Sequence, residues 1–206
     1  AINADYVLDL HTAGVATRYL YAPEYLAERS SALPFPFHLI IGDKFGGSMD
    51  EAAFITWVNL RNIFSDMGRE FMIDFESYTL ELGGEERISI EESSKDLEYI
   101  LEYFSHKGLI KSSESRPEYK IIKCNKKDYK SYFAKQAGLY DFIAKPGELV
   151  KQGDVLAIGI NFENYFSEQS IQFKLLANQD CIVLTHYPSS SVMQGAEIIQ
   201  VMENFY

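Results

Sequence analysis

Positive charge is scarce in this chain. Nineteen Lys and Arg stand against 30 Asp and Glu in 206 residues, a net charge of −11. A nucleic-acid binder needs a basic face, so the charge balance argues against that class. Cysteine is scarcer: Cys124 and Cys181 make neither a CxxC nor a disulfide framework, and read as reduced, buried thiols of a cytoplasmic protein. No apolar run reaches the roughly 18–20 residues of a membrane span. The opening Ala1-Ile-Asn-Ala-Asp5 lacks the basic start and apolar stretch of a signal peptide. It also lacks a Met and runs almost at once into a strand, which reads as a piece of a longer protein. Of the four histidines, none stands in an H-x-x-E, H-x-x-D or H-E-x-x-H pattern. A zinc site takes about three protein ligands, and this stretch does not offer them.

What is present is an aromatic-rich chain, with 14 Phe and 14 Tyr, and two regions of different texture. Residues 1–116 alternate strand-like and helix-like segments: strands at Tyr6–Leu10, His38–Asp43 and Tyr78–Leu82, and a short helix at Pro23–Ser30. A long helix from Met49 to about Met67 is capped by Ser48 or Asp50 and carries Ala53, Phe54, Trp57, Leu60, Ile63 and Phe64 on one face. A second spans Ser89 to Lys107, with a stripe of Leu97, Ile100, Leu101 and Phe104. This alternation predicts an α/β domain with a mainly parallel sheet flanked by helices. The polar stretch Lys111–Pro117 reads as a linker. Residues 117–206 turn to short strands and predict a small all-β barrel or sandwich. Within them Pro146, Val150, Gly153 and Leu156 recur 42 residues later as Pro188, Val192, Gly195 and Ile198, which predicts two similar halves.

Two segments carry chemistry. Asp5-Tyr-Val-Leu-Asp-Leu-His11 delivers an imidazole to the end of a strand, just before Thr12-Ala-Gly14. Ser77-Tyr-Thr-Leu-Glu-Leu-Gly-Gly84 delivers Glu81 among apolar neighbours before two glycines. A His and a Glu at strand-to-loop edges suit a metal hydrolase built on an open α/β sheet. His11 could bind zinc through a neutral imidazole. Asp9, two residues earlier on the same strand face, could orient it. Desolvation would raise the Glu81 carboxyl and suit it to take a proton from water. Gly83 and Gly84 would turn the backbone and leave room for a substrate. Equally, a lone His is commonly structural and Glu81 could face solvent on an edge strand. His38, His106 and His186 complete no site; His106 is accounted for by its helix C-terminus.

The order DYVLDLHTAG, YTLELGG, helix and small β-domain resembles the succinylglutamate desuccinylase/aspartoacylase family, zinc hydrolases related to the zinc carboxypeptidases. The resemblance implies that His11 is the last of three ligands to one zinc ion, with the first two supplied by an H-x-x-E or H-x-x-D motif upstream of Ala1. It implies that Glu81 is the catalytic base or acid working on the water at the metal. It implies arginines that hold a substrate carboxylate, for which Arg69 and Arg18 are the candidates here. The expected function is part of a zinc-dependent amidohydrolase that cleaves the acyl group from an N-acyl amino acid or similar small molecule, less readily an ester. The C-terminal region then resembles the barrel of that family, related in shape to biotinyl/lipoyl carrier domains, though Lys145 and Lys151 sit in no Met-Lys-Met-like hairpin. The expected partners are a small acylated substrate and a second copy in a homo-oligomer, with no nucleic acid or membrane. The competing reading is a non-catalytic binding or adaptor protein that kept the sheet and lost the metal.

Overall fold

A computed structural model of the chain describes residues 3–42, 44, 46–111, 118–162 and 171–206. It is a mixed α/β structure, mostly strand, with two α-helices. The strands are β1 (Tyr6–Ala13), β2 (Val15–Ala16), β3 (Arg18–Pro23), β4 (Phe37–Ile41), β5 (Glu76–Gly84), β6 (Ile122–Asn125), β7 (Tyr129–Phe133), β8 (Gly138–Phe142), β9 (Leu149–Val150), β10 (Val155–Ile160), β11 (Gln172–Leu176), β12 (Cys181–His186), β13 (Ser191–Val192) and β14 (Glu197–Glu203). The helices are α1 (Glu51–Asp66) and α2 (Ile90–His106). Among the described residues no helix is long and apolar enough to cross a membrane. Cys124 and Cys181 are free and buried.

By contact the chain divides into two compact units. The first takes residues 1–11, 19–81 and 90–126; the second takes 12–18, 82–89 and 127–206. The residues between the division expected at 116/117 and Lys126 group with the first unit, because β6 pairs with β4. The expected linker lies almost wholly outside the described residues.

The first unit is built on a sheet of order β1-β5-β3-β4-β6, in which β3/β4 and β4/β6 run parallel. Its two faces are covered differently. On one, Phe54 and Val58 of α1 pack with Ile41, Ile73, Phe75, Val7 and Tyr21. On the other, Tyr103 of α2 meets Tyr6 and Tyr78 edge-on, at ring-centroid distances of 6.1 and 5.9 Å. The expected α2 stripe is displaced. Leu97 and Leu101 face outward, and the buried residues are Asp96, Tyr99 and Tyr103. Tyrosine can occupy that face because its phenol finds an acceptor there. In α1, Ile63 is likewise exposed rather than buried. The segment Pro23–Ser30 is not an α-helix but enters two 3-10 turns, Glu24–Leu26 and Arg29–Ala32, and the buried strand β3 just before it was not foreseen.

The acceptor under α2 is Glu76, at the start of β5 and 4% exposed. Its carboxylate receives Lys107 Nζ at 2.6 Å, Tyr103 OH at 2.9 Å and Tyr78 OH at 3.1 Å. Arg29 stands 3.7 Å away. Burial, then the adjacent carboxylate, push both phenols above their ordinary range, so they serve as donors. A second buried network centres on His38 of β4. Ser30 Oγ donates to the Ala27 carbonyl at 2.8 Å and accepts from His38 Nδ1 at 3.0 Å. A hydroxyl has one hydrogen, so the imidazole carries its own on Nδ1. Burial, and then the Lys123 cation, push the His38 pKa down to about 3.

The second unit contains two antiparallel sheets, β11-β10-β8-β13 and β2-β12-β14-β7, with β9 also paired to β12. Side chains from both sheets share one core, among them Tyr140, Phe142, Leu156, Val183, Ile198 and Val201. The internal repeat is physically expressed. Val150 and Val192 are buried, on β9 and β13. Gly153 and Gly195 both take left-handed turns, at φ 87° and 83°, which only glycine adopts at no steric cost. Their amides donate to equivalent carbonyls, Ala177 and Ala134. The carbonyls of Leu156 and Ile198 in turn accept from Ala144 and Tyr187.

Glu76→Ala leaves the buried Lys107 cation without its partner and should destabilise the protein by about 3–5 kcal/mol in urea unfolding; a loss below 1 kcal/mol would remove the network from this account. The His38 effect has a definite sign. The imidazole stays neutral in the fold to about pH 3 but titrates near 6.5 when unfolded. Stability present above pH 6.5 is therefore lost as pH falls toward 3. Between pH 6.5 and 5 a His38→Leu chain, although weaker at pH 7.5, should lose less stability than the wild type; equal slopes would contradict this.

Candidate functional site

The two strands expected to carry chemistry, β1 and β5, are neighbours in the first sheet. Two backbone bonds fix their register. The Glu76 amide donates to the Asp5 carbonyl at 3.0 Å, and the Glu85 amide donates to the Gly14 carbonyl at 3.1 Å. Nine residues separate the two acceptors and nine separate the two donors, so the strands run the same way with no net slip. In such a pairing His11 lies directly across from Glu81, and Asp9 across from Thr79. Adjacent strands are about 4.8 Å apart, and residues directly opposite share a face. Val7, two residues before Asp9, packs among α1 side chains, so this is the α1 face.

Four side chains on that face have defined geometry. Asp9 Oδ2 lies 3.1 Å from His11 Nε2. A proton on that nitrogen leaves the Nδ1 lone pair as the donor available to a metal. Both side chains are roughly half exposed, at 47% for His11 and 43% for Asp9. Glu81, across the ladder, is only 7% exposed. Thr79 Oγ1 donates to Asp50 Oδ2 at 3.0 Å, which brings the N-terminus of α1 to the strand that carries Glu81. Burial works to raise the Asp50 carboxyl. Bonds from Ser48, Thr79 and the backbone outweigh it and hold the group below its ordinary value. Asp50 was expected as a helix cap, yet it makes no side-chain capping bond. Its most distant partner, Thr79, stands 29 residues away, and no local pattern signals that bond. Next to it, Glu51 is buried and receives the Gly46 amide and, at 3.0 Å, Lys126 Nζ.

The remaining expected site residues fall elsewhere. Arg69 is exposed and follows the C-terminal end of α1, where its amide bonds to the Phe64 carbonyl. The 16 residues of α1 span about 24 Å at 1.5 Å each, and the end that meets Thr79 is the other one. Arg69 therefore drops out as a substrate-holding residue beside Glu81. Arg18 opens β3, is half-buried, and groups with the second compact unit. Gly83 does turn the chain, at φ 99°. Gly84 does not leave room for a substrate: a Cβ there would stand 3.1 Å from the Gly14 carbonyl oxygen. Among the described residues, no three or more His, Cys, Asp or Glu side chains are grouped to hold a metal ion. His11 fits a metal as one donor of a set, not as the whole set.

Among solved structures, two relatives share 37% of their residues with this chain and cover 98% of it. One, from Shewanella frigidimarina NCIMB 400, is assigned as a succinylglutamate desuccinylase/aspartoacylase and superposes with a TM-score of 0.90. The other, from Shewanella amazonensis SB2B, is assigned to the same family and superposes at 0.89. A succinylglutamate desuccinylase/aspartoacylase from Rhodobacter sphaeroides, at 22% identity and a TM-score of 0.70, shares the fold. This chain spans 54–58% of the length of these three. No protein-family model matches the chain, and no curated protein does.

Thr79→Val removes one of the bonds that hold the Asp50 carboxyl down. Its titration, followed by carboxyl NMR, should move up toward the ordinary value. The stability it contributes above that value should shrink by about 1–3 kcal/mol. An unmoved titration would show that the bond is not made in solution.

Proposed function

Because this chain is a structural relative of the succinylglutamate desuccinylase/aspartoacylase family along almost its whole length, we propose that it forms part of a zinc-dependent amidohydrolase. Its substrate class is an N-acyl amino acid or similar small molecule, cleaved at the amide. The observation that carries this reading is the ladder between β1 and β5, which sets His11 opposite Glu81 on one face of the sheet. Both motif residues then act on one small volume.

In this proposal His11 holds zinc through Nδ1 as one ligand, and the others come from outside these residues. Zinc, when bound, supplies a Lewis acid that polarises the acyl carbonyl and eases ionisation of water. Asp9 accepts from His11 Nε2–H, fixing the tautomer and the ring plane and making the imidazole a better donor. Glu81 takes the proton of the attacking water on a carboxylate oxygen and gives it to the amine as the C–N bond breaks. Its burial, at 7% exposed, shields the transferred proton from bulk solvent. The Thr79–Asp50 bond keeps the α1 end against the strand that bears Glu81, so the base sits on a rigid element.

The tests belong to the full-length protein. Glu81→Gln should lower turnover of an N-acyl amino acid by about 10²–10⁴-fold while zinc content by atomic absorption is unchanged; zinc lost in parallel would make Glu81 a ligand instead of a base. His11→Ala should lower zinc content sharply, and unchanged zinc would remove His11 from the metal. A wild type without zinc that hydrolyses no N-acyl amino acid would favour a binding or adaptor protein on the same sheet.

A further inference from the structure

The glycines that close the two motifs lie at matched positions, Gly14 three residues after His11 and Gly84 three after Glu81. Neither has a positive φ, so a left-handed turn does not explain them. Space does. A Cβ on Gly84 would stand 3.1 Å from the Gly14 carbonyl oxygen, which also accepts the Glu85 amide. A Cβ on Gly14 would stand 2.6 Å from the His186 carbonyl oxygen and 3.2 Å from Pro188 Cδ. Immediately beyond Gly14, Val15 and Ala16 of β2 pair with His186 and Thr185 of β12, and the Thr17 amide donates to the Leu184 carbonyl at 2.9 Å. The layers are therefore backbone on backbone: Gly84 on Gly14, and Gly14 on the end of β12. A side chain on Gly14 would push the layers apart, since 2.6 Å is closer than a methyl carbon can approach an oxygen, and one on Gly84 would make its neighbour give by a few tenths of an ångström.

We propose that Gly14 and Gly84 are positioning residues, forming a side-chain-free stack against β12 that fixes how closely the ends of β1 and β5 approach, and through them the placement of His11 and Glu81. The proposal rests on the hydrolase reading for its functional consequence. The strands that end in the stack are the ones that bear the metal donor and the base, and each is only three residues long from the functional side chain to the glycine. A change of a few tenths of an ångström in the stack is carried along that length as a shift or twist of the strand end. Metal affinity and proton transfer both depend on such shifts.

The test compares Gly84→Ala and Gly14→Ala with Val192→Ala, which opens a hole in the buried core around β13. All three are made in the full-length protein and studied well below their unfolding midpoints. Gly84→Ala, whose contact is the milder of the two, keeps the test usable if Gly14→Ala does not fold. The glycine variants should lower kcat at least tenfold with KM little changed, and weaken zinc in chelator competition by a similar factor. Val192→Ala should leave both unchanged despite a comparable loss of urea stability. In parallel, the His11 imidazole nitrogen resonances, read by NMR, should move in the glycine variants and stay in Val192→Ala. If the glycine variants match Val192→Ala in resonances, zinc affinity and kcat, the stack is structural only and the proposal is overturned. If the wild type itself neither holds zinc nor turns over substrate, the hydrolase reading fails. The His11 resonances then still decide whether the stack sets the strand ends.

Discussion

Strand pairing between β1 and β5 is the constraint on which the candidate site depends. Side chains on a strand alternate faces, so one residue of slip would turn either His11 or Glu81 to the opposite side of the sheet. The ladder is bracketed at both ends, by Asp5 with Glu76 and by Gly14 with Glu85. Neither bracket involves the side chains of His11 and Glu81. The division of exposure follows from the ladder too. His11 lies on the outermost strand of its sheet and is half exposed, while Glu81 lies one strand inward and is nearly covered. That division suits the roles proposed for them, an accessible metal donor beside a covered proton carrier.

The opposite end of β5 is held by a different kind of interaction. Glu76 collects a lysine and two phenols under α2, with a guanidinium nearby. Removing one partner from so fully bonded a buried carboxylate is costly, because it leaves a buried charge uncompensated. Glu76 pins the helix against one face of the sheet by directional contacts, whereas α1 is held on the other face by apolar packing. The strand that carries the proposed base is thus anchored by charge at its start and by close backbone contact at its end.

Much of this was readable from sequence because it is local. Apolar residues mark the strands at Tyr6–Leu10 and Tyr78–Leu82, and the repeated V-x-x-G marks the paired turns at Gly153 and Gly195. What could not be read depends on partners far along the chain. Tyr103 looks less suited to a buried face than Leu97 and Leu101 until Glu76 supplies an acceptor. Asp50 looks like a cap until Thr79 appears beside it. Arg69 looks close to Glu81 in sequence, but a whole helix length separates its end of α1 from the end that meets Thr79. Gly84 looks like room for a ligand until the Gly14 carbonyl occupies that room. The ladder itself was anticipated only as a common destination for two strand ends.

The repeated halves of the second unit are interlocked. β9, in the earlier half, bonds to β12 in the later one, while β13 of the later half bonds to β8 of the earlier. Each half thus completes a sheet begun by the other, and neither has a finished edge of its own. Such a unit reaches its full pairing only once the second copy has been made, because β9 and β13 each find their partner strand in the other half.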